Sequence, residues 1–116
     1  MSQQPSTAVA WKPVQVNAKM RRQILQSGER SMLVRVDFGA GAVAPIHSHP
    51  HEQLTYVAAG SVRLTVDGVE RVLRAGESML LPGNVPHGVT TDEEATLLDT
   101  FTPPREDFLA SDERER

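Results

Sequence analysis

The sequence contains no cysteine, which removes disulfides, thiolate nucleophiles, iron–sulfur clusters and cysteine-ligated zinc from consideration. Any metal must be held by histidine, carboxylate or amide oxygen. Aromatic residues make up only 4% of the chain, so a large apolar pocket has little to be built from. Positive charge is also scarce: 12 Lys and Arg face 15 Asp and Glu, for a formal net charge of -3. That balance argues against a sequence-independent grip on nucleic acid or anionic membranes. No apolar run approaches the roughly 20 residues that span a bilayer as a helix. The start, Met1 to Ala10, has neither a basic segment nor an apolar one of the leader type. These absences place the protein in the cytoplasm, with neither nucleic acid nor membrane as a partner. What remains is 116 residues with 39% hydrophobic and 23% charged, the composition of one ordinary globular domain able to bury one core.

Met1 to Ala10 is polar and reads as a frayed terminus. From Trp11 onward the pattern is short β-like stretches between turn residues: Val14–Val16, Arg22–Gln26, Ser31–Phe38, Leu54–Ala58, Val62–Val66, Val69–Leu73, Ser78–Leu81, Val85–Thr90 and Ala95–Phe101. Ser27-Gly28-Glu29, Asp67-Gly68 and Ala75-Gly76 supply turns, and Pro82-Gly83-Asn84 breaks a strand. Many short strands at regular spacing indicate an antiparallel sandwich or barrel. After Pro103-Pro104, Arg105 to Arg116 is expected to form a short charged helix packed through Phe108 and Leu109. The boundaries are therefore an N-terminal segment over 1–12, a folded domain over 13–110 and a charged tail over 111–116.

Three of the four histidines lie in His47-Ser48-His49-Pro50-His51-Glu52-Gln53, and the fourth is His87. Residues two apart on a strand face the same way, so His47 and His49 can offer their imidazoles to one point, as two ligands of a metal ion must. Pro50 then bends the chain and lets Gln53 or Glu52 approach that point from another angle. Burying several imidazoles without a metal would leave polar groups to satisfy. His51 shares the parity of His47 and His49, but Pro50 interrupts the strand, and His51 reads as a surface residue at the barrel mouth. Tyr56, with the parity of Leu54, points away from the ligand face and is expected in the core.

These residues resemble the two motifs of the cupin superfamily of small β-barrels. Gly41, His47, His49, Gln53 and Gly60 match the first motif at every spacing, with Gln53 where the family usually has Glu. Gly76, Pro82 and His87 match the second, with Asn84 in place of a Gly, a mild exchange because Asn tolerates positive φ. The resemblance implies an all-β, jelly-roll-like cupin barrel with a short C-terminal helical tail, and His47, His49, Gln53 and His87 as ligands of a divalent metal ion. Zn, Ni, Co, Mn and Fe all suit such a set. Three neutral imidazoles and a neutral amide leave the ion its full formal charge, which favours Lewis-acid work on an anionic oxygen over oxygenase chemistry. Glu52 stays open as a fourth ligand through a small shift in register.

The stretch from His49 to Gln53, with the tail Asp99 to Leu109, is further similar to the KdgF-type cupins of pectin and alginate catabolism. That likeness implies a metal-dependent enzyme that converts 4,5-unsaturated uronic acid monomers to linear keto acids. It makes Asp99 the candidate proton shuttle, Phe101 a wall of the pocket and Arg105 the holder of the substrate carboxylate or hydroxyls. Alternation puts Asp99 and Phe101 on one face of the last strand. Arg30, Arg35 and Arg63 stay open as further pocket residues. Two other readings stand beside it: a cupin-type polyketide cyclase, and a non-enzymatic metal-dependent sugar-binding or regulatory cupin, which would need the metal ligands but not Asp99. Exposed edges of a short-stranded barrel make a homodimer the expected assembly.

Overall fold

The computed structural model describes residues 3–5 and 10–114. Most of the stretch Met1–Ala10, expected to fray, lies outside the described residues, as does the end of the tail. Ten strands are formed among the described residues: β1 (Val14–Asn17), β2 (Met20–Ser27), β3 (Met32–Phe38), β4 (Val43–His47), β5 (Glu52–Ala59), β6 (Ser61–Val66), β7 (Val69–Arg74), β8 (Ser78–Leu81), β9 (His87–Thr90) and β10 (Ala95–Thr102). One helix, α1 (Glu106–Ser111), follows. The strands make a six-stranded sheet in the order β1-β2-β3-β10-β5-β8 and a four-stranded sheet in the order β4-β9-β6-β7. Every strand pair is antiparallel, so the expected all-β sandwich-like barrel with a short helical tail is what the chain forms.

Alternation drives the layering. On β3, Met32, Val34, Val36 and Phe38 are buried, and on β10 Ala95, Leu97, Asp99 and Phe101 are. Register aligns these rows: Leu97 lies between Val36 and Val57, Asp99 between Val34 and Thr55, and Phe101 between Met32 and Gln53. Walking from Leu97 to Phe101, the partner from β5 changes from Val57 to Thr55 to Gln53. One end of the interior is thus an apolar core, and the other collects buried polar groups.

Turn chemistry follows the sequence where it was specific. Asp67 and Gly68 have φ of 49° and 80°, the left-handed pair that a two-residue hairpin between β6 and β7 requires. Asn84 has φ of 66°, so it carries the conformation that a Gly holds in the motif. Gly88 answers to a close approach: a Cβ there would lie 2.9 Å from the Ala44 carbonyl oxygen and 2.8 Å from Ile46 Cδ1. The lack of a side chain lets β9 lie against β4, with His87 opposite His47. Pro45, which has no N–H to give, sits on β4, an edge strand, at an irregularity in its pairing.

Three expectations are corrected. Tyr56 is 44% exposed, not core; its parity is outward as read, and Leu54 and Leu80 on that face of the six-stranded sheet are exposed with it. Leu109 is 37% exposed and only Phe108 packs against the core, because a helix of six residues, ending at Ser111 rather than Arg116, presents too narrow a face for both. His49 lies beyond the end of β4 at His47, so a strand's two-residue repeat is not what brings it to His47.

Two residues outside the 13–110 boundaries are buried. Trp11 pairs with Arg114 in an isolated bridge, and Lys12 N–H donates to the Glu113 carbonyl at 2.7 Å. Asp112, whose side chain is only 1% exposed, accepts two hydrogen bonds from Arg22, at 2.7 Å from Nη2 and 3.2 Å from Nε. The pair straps α1 to β2. Replacing Asp112 with Ala leaves the Arg22 guanidinium without its counter-charge in a largely buried place and should cost about 2–3 kcal/mol. Urea unfolding measures it, and a loss below roughly 0.5 kcal/mol, as for an ordinary surface pair, would contradict the strap.

Candidate metal centre

One ligand nitrogen from each of His47, His49 and His87 lies within 4.8 Å of the others, the one grouping of this kind among the described residues. His47 ends β4 and His87 begins β9, with ring centroids 4.5 Å apart. His49 comes from the loop between β4 and β5, 4.9 Å from the His87 ring. That loop is held to the one before β9 by Asn84 N–H, which donates to the His49 carbonyl at 2.7 Å. Gln53, buried on β5, adds its Oε1 at 3.1 Å from His49 Nε2.

The donor set fits a metal for a reason visible in its hydrogen bonds. Each Nδ1 is matched to a backbone carbonyl: His47 to Pro45 at 2.9 Å, His49 to His51 at 3.1 Å and His87 to Val85 at 2.9 Å. A carbonyl only accepts, so each Nδ1 carries the proton and each Nε2 keeps a bare lone pair. His87 Nε2 is buried with no hydrogen-bond partner. His49 Nε2 and Gln53 Oε1 face each other as two acceptors unless the ring is doubly protonated, and burial, with Arg105 and His87 nearby, pushes the His49 pKa down to about 4. Burial also lowers that of His87. Neutral rings with converging lone pairs are what a divalent ion requires.

Glu52 and His51 are outside this set. Glu52 is exposed, because β5 alternation turns Gln53 inward and Glu52 outward. The ring of His51 stands edge-on to His49 at 5.3 Å and to Phe101 at 6.4 Å. It is half-buried behind the ligands rather than free at the mouth as expected, since Pro50 and Gly83 pack that loop inward.

Asp99 and Phe101 both face this polar end of the interior. Gln53 Nε2–H donates to Thr55 Oγ1 at 2.9 Å, and Thr55 Oγ1–H donates to Asp99 Oδ1 at 2.8 Å. Burial pushes the Asp99 pKa up to about 6, against the opposing pull of hydrogen bonds from Thr55 and Gln53 and of the Arg105 charge. Phe101 meets His49 edge-on at 5.7 Å. Arg105 lies over Phe101 at 5.0 Å and over Phe108 at 4.1 Å, and pairs with Asp107 through Nη2 at 2.9 Å. His47, Gln53, His87, Phe101, Arg105 and Phe108 line a cavity of about 250 Å³. A larger groove of about 550 Å³, at Lys19, Arg21, Asp37 and Glu94, contains none of these groups.

Arg30, Arg35 and Arg63 do not reach the cavity: Arg35 pairs with Asp37, Arg63 with Asp92, and Arg30 is exposed. The sequence reading missed Arg22, which lines the cavity and stacks on Phe108 at 3.9 Å. It also missed Thr55. Each had a signal, since Arg22 shares the parity of Ile24 and Thr55 that of Gln53.

Residues 34–101 match the model of the cupin domain family. The pectin degradation protein KdgF of Dickeya dadantii is 40% identical over 92 residues, covering 78% of this chain and 84% of that protein. The chain belongs to the cupin family, in its KdgF branch. Among solved structures, this cupin superposes on an RmlC-like cupin from Shewanella frigidimarina with a TM-score of 0.85 at 36% identity, covering 92% of this chain and 96% of the other. The structure of KdgF from a Halomonas species gives a TM-score of 0.85 at 28% identity, covering 92% and 99%.

Burial of Asp99 has a consequence for stability. Its folded pKa of about 6 lies above the ordinary 3.8, so between those values the native state holds a proton that the unfolded state has released. Stability therefore falls as pH rises through that window. His49 and His87, whose pKa values move down, act in the opposite direction, but they are common to an Asp99→Asn variant. In chelator-treated protein, wild type should lose melting temperature relative to Asp99→Asn as pH is raised from about 4 to 6. Parallel melting temperatures across that range would contradict a carboxyl whose burial outweighs its hydrogen bonds.

Proposed function

We propose that this cupin opens 4,5-unsaturated uronic acid monomers and tautomerises them to linear keto-uronates. The observation that carries the reading is a buried carboxyl group, Asp99, joined through Thr55 to Gln53, which lines one cavity together with His47, His87 and Arg105. KdgF of Dickeya dadantii, to which the chain is 40% identical, is a pectin degradation protein.

In the reaction the C1–O5 bond breaks and C1 becomes an aldehyde as the O1 hydroxyl loses its proton. The charge left on O5 is an enolate, and the C4=C5 bond takes up a proton at C4 to leave a ketone at C5. The net change moves one proton from O1 to C4. A divalent ion held by His47, His49, Gln53 and His87 would supply Lewis-acid stabilisation of the negative oxygen. Arg105 holds the substrate carboxylate by charge-assisted hydrogen bonds, its guanidinium stacked on Phe101 and Phe108. Asp99 accepts the O1 proton and returns it at C4, a task suited to an acid whose pKa of about 6 is close to neutral pH. Phe101 closes the wall beside it and keeps water from the enolate. A cavity of about 250 Å³ favours a single sugar ring over the larger substrates of a polyketide cyclase.

Asp99→Asn keeps the shape and removes the proton carrier. It should retain the metal and lose turnover by roughly 100-fold or more, measured as loss of the C4=C5 ultraviolet absorbance under metal-loaded conditions. Turnover equal to wild type would remove Asp99 from the mechanism and favour a binding role. Arg105→Lys, which keeps the charge but loses the planar fork, should raise KM more than it lowers kcat.

A further inference from the structure

We infer that Thr55 is a positioning residue for the metal centre: its hydroxyl fixes the Gln53 side-chain amide with Oε1 toward the imidazoles and Nε2 away from them. This rests on the reading of Gln53 as a ligand and extends it to a residue that touches neither metal nor substrate. A glutamine amide has an acceptor end and a donor end of nearly the same shape, and only the oxygen can serve a cation. Something must distinguish the two ends.

The β5–β10 register supplies it. Thr55 stands directly opposite Asp99, and Gln53 opposite Phe101. Thr55 is 1% exposed, and its hydroxyl has one proton, which goes to Asp99 Oδ1 at 2.8 Å. Its remaining lone pairs can only accept, and the group beside them is Gln53 Nε2 at 2.9 Å. The chain of donation runs in one direction, from amide to hydroxyl to carboxylate, with the amide also donating toward Asp99 itself, and leaves Oε1 at 3.1 Å from His49 Nε2. Turning the amide over would set Oε1 against a hydroxyl oxygen whose proton is committed to Asp99. It would also withdraw the amide oxygen from the place where a cation would be held and put there two N–H groups, which cannot ligate one.

The same direction accounts for Gln rather than Glu at position 53. A carboxylate has no proton to give Thr55, so in Gln53→Glu the new carboxylate and Asp99 would flank one hydroxyl able to satisfy only one of them. The cost of an unmatched buried acceptor is avoided by an amide. In that variant, moreover, the two side-chain oxygens are equivalent and there is no orientation left for Thr55 to choose.

That contrast gives the test, a double-mutant cycle read in zinc affinity by competition with a chromophoric chelator, without uronate present. With Gln53 in place, Thr55→Val should weaken zinc binding about tenfold or more, while Thr55→Ser, which keeps the hydroxyl, should stay within about threefold of wild type. In the Gln53→Glu background Thr55→Val should cost less than about threefold. Equal losses in both backgrounds, or no loss with Gln53, would overturn the inference and leave Thr55 a packing residue. A second measurement does not need the Val variant to fold. In metal-free wild type, the Gln53 side-chain NH2 signal, assigned by its disappearance in Gln53→Glu, should exchange with water more slowly than those of the exposed side-chain amides. Exchange as fast as theirs would overturn it. Neither readout involves turnover, so failure of the uronate reaction and failure of this inference are separate results.

Discussion

Three backbone carbonyl oxygens, those of Pro45, His51 and Val85, decide where the lone pairs of the histidines point. Each claims an Nδ1 proton and leaves an Nε2 bare, on His49 and His87 in a buried place and on His47 in an exposed one. A cluster of neutral imidazoles is otherwise an awkward thing to bury, because every ring needs both a donor and an acceptor met. Here the donor side is met by the chain itself and the acceptor side is left to converge. The arrangement depends on backbone course: the irregular, proline-bearing edge strand β4, the loop to β5, and the turn at Pro82–Asn84 that is hydrogen-bonded to His49. The absence of a side chain at Gly88 then lets β4 and β9 approach until His47 and His87 meet.

The second constraint is the register of β10 between β3 and β5. It decides that one interior holds both an apolar core and an end of buried polar groups. Leu97 is packed between two valines, and two residues later Asp99 faces Thr55. The same alternation that hides apolar side chains therefore delivers an acid, a hydroxyl and an amide in hydrogen-bonding sequence. The helical tail completes the enclosure. The guanidinium groups of Arg22 and Arg105 both stack on the Phe108 ring, at 3.9 and 4.1 Å from its centroid, and Asp112 accepts hydrogen bonds from Arg22. Arg105 is thereby held at the cavity while its own charge is met by Asp107, whose pKa it lowers by hydrogen bonding.

Much of this was legible in the sequence, and the boundary of legibility has a physical cause. Short-range patterns carried through: Asp67-Gly68 turned, Asn84 took positive φ, and Gln53, Asp99 and Phe101 faced inward by alternation. The histidine spacing found the cluster, although His49 reaches it from a loop rather than a strand. What failed depended on which layers cover which faces. Tyr56 was read on the right side of its strand, yet that side is left exposed, as Leu54 and Leu80 beside it are. Arg22 was missed although it shares the parity of Ile24, because the cavity which that face meets exists only once β2 has paired with β3. Thr55 drew no notice for a similar reason: a threonine acquires meaning here only from the acid placed across from it by a strand more than forty residues away.

The central claim is that the metal held by the histidines and Gln53 is what makes this pocket open an unsaturated uronate ring. The most direct measurement follows the ultraviolet absorbance of freshly generated 4,5-unsaturated galacturonate with metal-loaded protein, with chelated protein and with none. Metal-loaded protein should remove the absorbance faster than it disappears spontaneously, and chelated protein should not. A rate equal to the spontaneous one, with metal shown to be bound, would contradict the account.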